Sequence, residues 1–227
     1  MTQARMCLLF FVLFITLASM ALTLTGIVTD FWYTVDGSES SISAVQTNFS
    51  YHFGMWRRCF TKGIPMGYDT KDIYGDCVYT YRELAPLLEQ DMNFEDARYL
   101  HLERSWVGCA IASAGVQLFT LLVVICGLWP GDCKRIKARS VHLAASIMTL
   151  LAGMCGIASG ICFIALRDID ETTDKIYPTG VTQKYDYSFI VAWVGCGLCI
   201  VEGFIYLCLL KSDKDDDSES KYSYYSM

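Results

Sequence analysis

The chain has 227 residues, 53% of them hydrophobic and 19% charged, with 11 cysteines and a formal net charge of -6. An apolar fraction that high, gathered in long runs, points to membrane spans rather than one soluble core. The acidic balance argues against nucleic acid as a partner, because phosphate recognition needs Lys and Arg clustered on one face and no such face is present.

In chain order the pattern divides into an N-terminal stretch 1–6, apolar segments 7–29, 106–129, 141–166 and 189–210, and the connections 30–105, 130–140 and 167–188. A tail over 211–227 follows. Each apolar segment can cross a hydrocarbon core of about 30 Å at about 1.5 Å per helical residue. Arg5 ahead of the first segment also suits a cleaved signal peptide, but the run exceeds the roughly 7–15 apolar residues of a signal core. Kept as a span, it gives an even number of crossings and puts both termini on one side. The short connection 130–140 carries Lys134, Arg135, Lys137 and Arg139 against Asp132. The positive-inside rule therefore places that connection and both termini in the cytoplasm, and the loops 30–105 and 167–188 outside.

The cysteines sort by this topology. Cys59 and Cys77 alone lie in an outer loop, where oxidation is permitted, and are expected to pair. Cys109, Cys155, Cys162, Cys196 and Cys199 fall within spans and read as small packing residues. Cys7, Cys126, Cys133 and Cys208 lie near the cytoplasmic boundary, where Cys133 and Cys208 are the candidates for palmitoylation and an unmodified thiol is the alternative.

The first outer loop is too long and varied for a simple connector. Phe31-Trp32-Tyr33 is an aromatic cluster expected at the membrane interface. The stretches 51–60 and 78–81 are rich in aromatic and β-prone residues and read as strands, with Gly63, Pro65 and Gly67 supplying turns between them. Charges at helical spacing over 91–104 predict a short outer helix running into the second span. Asn48-Phe49-Ser50 is a glycosylation sequon on the outer side.

Helices associate in lipid by close packing, so small residues mark contact faces. Gly156 and Gly160 form a small-xxx-small pair in the third span, and Gly108, Ala112 and Gly115 line one side of the second. Packing inside a four-helix bundle and self-association are both open readings. Glu202 is the one acid well inside a span, at a cost of about 2.5–3.5 kcal/mol at mid-bilayer. It is expected to be protonated, paired or turned from lipid, with Gln117 or a backbone group as candidate partner, or else to face a partner's helix.

Catalytic chemistry finds little support. Cys196 and Cys199 form a CxxC pair that loosely resembles membrane thiol oxidoreductases, but they sit among Gly and apolar residues without a cation to activate a thiol. His52, His101 and His142 lack zinc-ligand spacing, and no phosphate-cradling Gly loop occurs, so neither a cofactor nor an enzyme is expected. The acidic tail, ending Tyr222-Ser223-Tyr224-Tyr225-Ser226-Met227, has the composition of a solvated, disordered segment. Its terminal Met could enter a PDZ groove.

Thr29-Asp30-Phe31-Trp32 closing the first span, Gly54-Met55-Trp56 with Cys59 and Cys77, and Arg104 at the entrance to the second span form a connected pattern. It resembles the superfamily of claudins, peripheral myelin protein relatives and calcium channel gamma subunits. Met55 stands where Leu is usual. The resemblance extends over nearly the whole chain and implies a left-handed all-α four-helix membrane bundle capped by a small extracellular antiparallel β-sheet. Phe53 to Cys59 and Lys62 to Met66 look most like a muscle-type gamma subunit, while Asp30 to Tyr33 with Trp56 to Cys59 also resembles claudin-domain proteins. The gap from Cys59 to Cys77 is wider, and the first loop longer, than in tight-junction claudins. The resemblance thus implies a plasma-membrane auxiliary subunit packed on a larger membrane protein such as a channel pore subunit. Junctional adhesion with itself or a related protein, in cis or in trans, is the alternative.

Overall fold

A computed structural model describes residues 3–80, 94–128, 138–172 and 177–225. Four long helices, Gln3–Val28, Phe94–Leu128, Ala138–Thr172 and Tyr187–Tyr225, carry the apolar segments. Within them Cys7–Val28, Ala97–Cys126, Arg139–Ile169 and Tyr187–Lys211 are long and apolar enough to cross a membrane. Of the helix expected over 91–104, the described part from Phe94 onward is helical and runs unbroken into the second of these segments. The fourth helix continues through the acidic tail to Tyr225, where the composition predicts disorder. Adding a residue to an existing helix avoids the nucleation cost that an isolated polar segment would bear. The candidate acylation residue Cys133 and most of the basic connection lie outside the described residues.

The remaining chain forms strands β1 (Tyr33–Asp36), β2 (Tyr51–Phe53), β3 (Arg57–Phe60), β4 (Ile73–Tyr74), β5 (Cys77–Tyr79) and β6 (Thr182–Tyr185), with a short helix at Ser43–Asn48. They make one antiparallel sheet in the order β4-β5-β3-β2-β1-β6. The β-prone stretch 51–60 is a hairpin rather than a single strand, turned at Gly54-Met55-Trp56 with Gly54 N–H donating to Arg57 O at 3.0 Å. Gly63 and Gly67 take positive φ of 93° and 116°, which explains the turn chemistry after β3. Two strands have no alternating signature in the sequence. β1 continues the aromatic cluster, and β6 lies in the short second loop and pairs with β1 from Tyr33↔Tyr185 to Asp36↔Thr182.

The chain divides into two compact units, one of Leu24–Ile111 with Ile157–Trp193, the other of Met1–Thr23, Ala112–Gly156 and Val194–Met227. The first holds the sheet and an aromatic core. Phe163, fully buried, meets the rings of Trp32, Tyr33, Phe53, Trp106, Tyr185 and Phe189 at centroid distances of 4.6 to 6.4 Å. The second is all helix and polar-laced, with segments of four helices joined by side-chain bonds to backbone carbonyls. Ser113 Oγ donates to Ala152 O at 2.8 Å, Ser146 Oγ to Gly203 O at 2.9 Å and Ser19 Oγ to Gly195 O at 3.0 Å.

Candidate functional site

An α-helix leaves its last four carbonyls without intrahelical partners, and in an apolar setting each orphan is costly. The first long helix ends at Val28 with those carbonyls facing the sheet-bearing loop. Thr25 O accepts from Thr29 N–H at 3.0 Å and from the Thr29 hydroxyl at 2.5 Å. Gly26 O accepts from the Trp32 indole at 2.5 Å, and Ile27 O from the Trp56 indole at 2.7 Å. The two motif tryptophans are therefore capping donors. They bind β1 and the β2–β3 turn to the helix end through two of the carbonyls that Thr29 does not reach, those of Gly26 and Ile27.

The other motif residues fit the same joint. A Cβ on Gly54 would stand 2.6 Å from both Asp30 Cα and Thr29 O, so only glycine lets the hairpin turn lie against the helix end. Met55, 1% exposed, fills the space beneath the turn, and its carbonyl accepts from Thr80 Oγ1 at 3.4 Å. Arg57 pairs with the largely buried Asp30 at 2.5 Å. Cys59 and Cys77 are bonded across the paired strands β3 and β5. Trp32 is 2% exposed and packs edge-on to Trp106 and Phe163, so its ring is turned into the aromatic core. Aromatic packing of that kind adds about 0.5–1.5 kcal/mol per pair beyond area burial. Arg104 is half-buried on the second long helix, two residues before Trp106.

Sequence reasoning missed Arg167, which it assigned to the start of the second outer loop. Its guanidinium lies 4.8 Å above the Phe53 ring and 5.7 Å above that of Tyr33, and donates to Tyr99 Oη at 3.3 Å. A lone cation at the end of an apolar run beside an aromatic-rich loop is the signal that could have found it. The second loop is further fixed by Ser188 Oγ, 2.6 Å from Thr29 Oγ1, and by Asp186, which accepts from the Thr34 hydroxyl at 2.6 Å and Tyr187 N–H at 2.7 Å. Burial pulls the Asp186 pKa upward, but these bonds outweigh it and hold the group below the usual Asp value. Asp36 is likewise lowered, by its bonds from Ser38. The His52 ring stacks on Phe31 at 4.1 Å, and the burial this brings lowers its pKa against the pull of Asp30 and Asp186.

In the helical unit Glu202, for which Gln117 or a backbone group is the candidate partner, is bonded by a threonine. Thr16 Oγ1 donates to Glu202 Oε1 at 2.5 Å, while Gln117 Nε2 donates to Thr23 Oγ1 at 3.0 Å and Ser113 Oγ at 3.3 Å. Small hydroxyls on neighbouring helices reach into a tight core at shorter range than a second long polar side chain. Glu202 is 1% exposed, so it points into the unit. A Cβ on Gly156 would fall 2.3 Å from Cys196 Sγ, and in the sheet-bearing unit one on Gly160 would fall 2.7 Å from the Trp193 ring. Both glycines are used within the chain, against the fourth helix, which favours internal packing over self-association. Gly108 and Gly115, by contrast, have nothing within 4 Å of an added Cβ.

Cys196 and Cys199 are both buried, and Cys199 Sγ is 2.9 Å from Ser19 Oγ. Buried in this way, the CxxC pair lacks the access that thiol exchange needs. No group of three or more His, Cys, Asp or Glu among the described residues could hold a metal ion. Cys208 is exposed near the end of the fourth apolar segment, compatible with either a thiol or a thioester. What this arrangement can do is present a stapled, immobilised sheet on the end of a helix.

A sequence profile described as PMP-22/EMP/MP20/Claudin tight junction matches residues 17–208. Epithelial membrane protein 2 from Bos taurus and from Homo sapiens are each 33% identical over 78 residues, covering 34% of this chain and 47% of the relative. The chain thus spans about half the length of those relatives. The voltage-dependent calcium channel gamma-1 subunit of Sus scrofa is 26% identical over 219 residues, covering 92% of this chain and 88% of the relative. With four membrane-capable helices, an antiparallel sheet and the profile match over most of its length, the chain belongs to the PMP-22/EMP/MP20/Claudin family of multi-pass membrane proteins.

Proposed function

We propose that the protein is a non-enzymatic auxiliary subunit of a plasma-membrane ion channel or receptor, with its sheet outside and both termini in the cytoplasm. The observation that carries this reading is the extent of likeness to the calcium channel gamma-1 subunit, which runs over 92% of the chain rather than over one segment. The capped helix and stapled sheet supply what such a subunit needs, a fixed polar platform on a lipid-soluble anchor. Large apolar side chains along the first helix, among them Phe10, Phe11 and Phe14, lie open on the isolated chain and suit lipid or a larger subunit's helices. Purification from native membrane in a mild detergent, followed by mass spectrometry, tests this. A channel pore subunit in stoichiometric amount is expected.

Junctional adhesion is the second reading, favoured by one feature of the loop. Met66 is fully exposed and Tyr74 is 69% exposed, apolar and aromatic groups suited to meeting a neighbouring copy. Recovery of the protein with only itself or junctional proteins would establish that reading instead.

A further inference from the structure

Beside β2 and β3 lies an open cavity of about 470 Å³, inside the range of roughly 300–1,000 Å³ that small organic ligands occupy. Its lining includes the rings of Tyr51, Phe60 and Tyr68, with Phe60 5.6 Å from each of the other two. Arg58 contributes the one charged group, held 5.2 Å above the Tyr51 ring and donating to Tyr68 Oη at 3.4 Å. Ring faces carry partial negative charge and attract the positively polarised C–H edges of a saccharide, while a guanidinium donates to hydroxyl and amide oxygens. The same cavity is lined by Asn48, the exposed first residue of Asn48-Phe49-Ser50.

We infer that Asn48 bears an N-linked glycan whose first sugars are seated in this cavity against Tyr51, Tyr68 and Arg58, with the buried Phe60 backing the two tyrosines. The inference rests on the outward placement of the first loop. In the attachment step Asn48 Nδ2 forms a bond to the anomeric carbon of an oligosaccharyl pyrophosphate donor. The carbon–oxygen bond to pyrophosphate breaks with its electron pair, and the amide proton is lost to base. Ser50, the third sequon residue, is 2% exposed in the folded chain, its Oγ taken by Gly37 N–H at 3.3 Å and its carbonyl by Thr61 N–H at 2.9 Å. Attachment therefore precedes folding of β2 and β3, and the cavity closes around a sugar already in place. Tethering at the rim gives the sugar a high effective concentration, so weak stacking contacts suffice to hold it.

The test uses the full chain expressed in animal cells. After denaturation, peptide-N-glycosidase should increase the protein's mobility, and Asn48→Gln should abolish that shift. No shift in the wild type would overturn the inference outright. On the native protein in mild detergent, enzymatic release from the wild type should be about tenfold slower than from Tyr68→Ala at equal glycan occupancy. Met66→Ser, which alters a fully exposed residue on the same lining, should also speed release and carries the comparison should Tyr68→Ala not fold. Equal native rates in the wild type and the folded variants would show a glycan free in solvent and overturn the seat. Channel association need not change in either case, so failure here is distinct from failure of the proposed function.

Discussion

The sheet-bearing unit and the helical unit solve one problem, fixing helices without water, by different chemistry. Around the sheet the fastening is large and concentrated: two indole donors on the last carbonyls of a helix, a ring cluster about Phe163, an ion pair and a disulfide. In the helical unit it is small and dispersed, one hydroxyl to one carbonyl at a time, with glycines admitting a neighbour's side chain. The first kind should fail abruptly when one member is removed. The second should lose stability in modest steps.

Five changes can break or sharpen that contrast. Gly54→Ala forces a Cβ into backbone 2.6 Å away and should cost about 3 kcal/mol, the upper end of overpacking, read as a collapse of thermal stability and surface expression. Replacing Cys59 and Cys77 together by Ala releases the cross-link over a separation of 18 residues and should cost about 3 kcal/mol in thermal unfolding under non-reducing conditions. In the helical unit, Gly156→Ala should cost about 2 kcal/mol by its clash with Cys196, and adding Cys196→Ala should restore most of it. No recovery in the double variant would mean that Gly156 packs against something other than the fourth helix. Thr16→Val removes the donor to Glu202 and should cost about 1–2 kcal/mol in the same assay.

The smallest effect is pH dependence. The folded pKa of His52 lies below its unfolded value, so the unfolded chain binds the proton more tightly. Stability should be flat above about pH 6.5 and fall as pH drops through that value, and His52→Gln should remove this part of the slope. Asp36 and Asp186 act at lower pH, since their stabilisation is present above the unfolded value near 3.8 and is lost as pH falls through the lowered folded values.

The contrast also explains what could be read in advance. Trp32, Gly54, Trp56, Cys59 and Cys77 stand out because their residue types are rare and their chemistry specific, and the structure brings all five to one joint or its adjoining strands. Their role as caps on Gly26 and Ile27 was not legible, since an indole N–H partner depends on tertiary geometry and not on spacing. Strands β1 and β6 were missed because pairing between two loops 150 residues apart leaves no local period. Ser19, Ser113 and Ser146 were silent for a related reason, as a hydroxyl on an apolar helix looks the same whether it bonds back to its own turn or across to another helix. Gln117 and Glu202 were legible as buried polar groups, but not as members of separate hydrogen-bond sets.

The central claim is that the motif tryptophans cap the first long helix and so fix the sheet to the end of that helix. Its most direct test is exchange of the indole protons in the 15N-tryptophan-labelled protein in detergent, with each of the five tryptophans assigned by substitution. The account predicts slow exchange with solvent at Trp32 and at Trp56, the latter despite its partial exposure, and loss of Trp32 protection when Gly54→Ala displaces the turn. Exchange at Trp56 as fast as that of a free indole would show that Ile27 O is not capped by this side chain, and would contradict the claim.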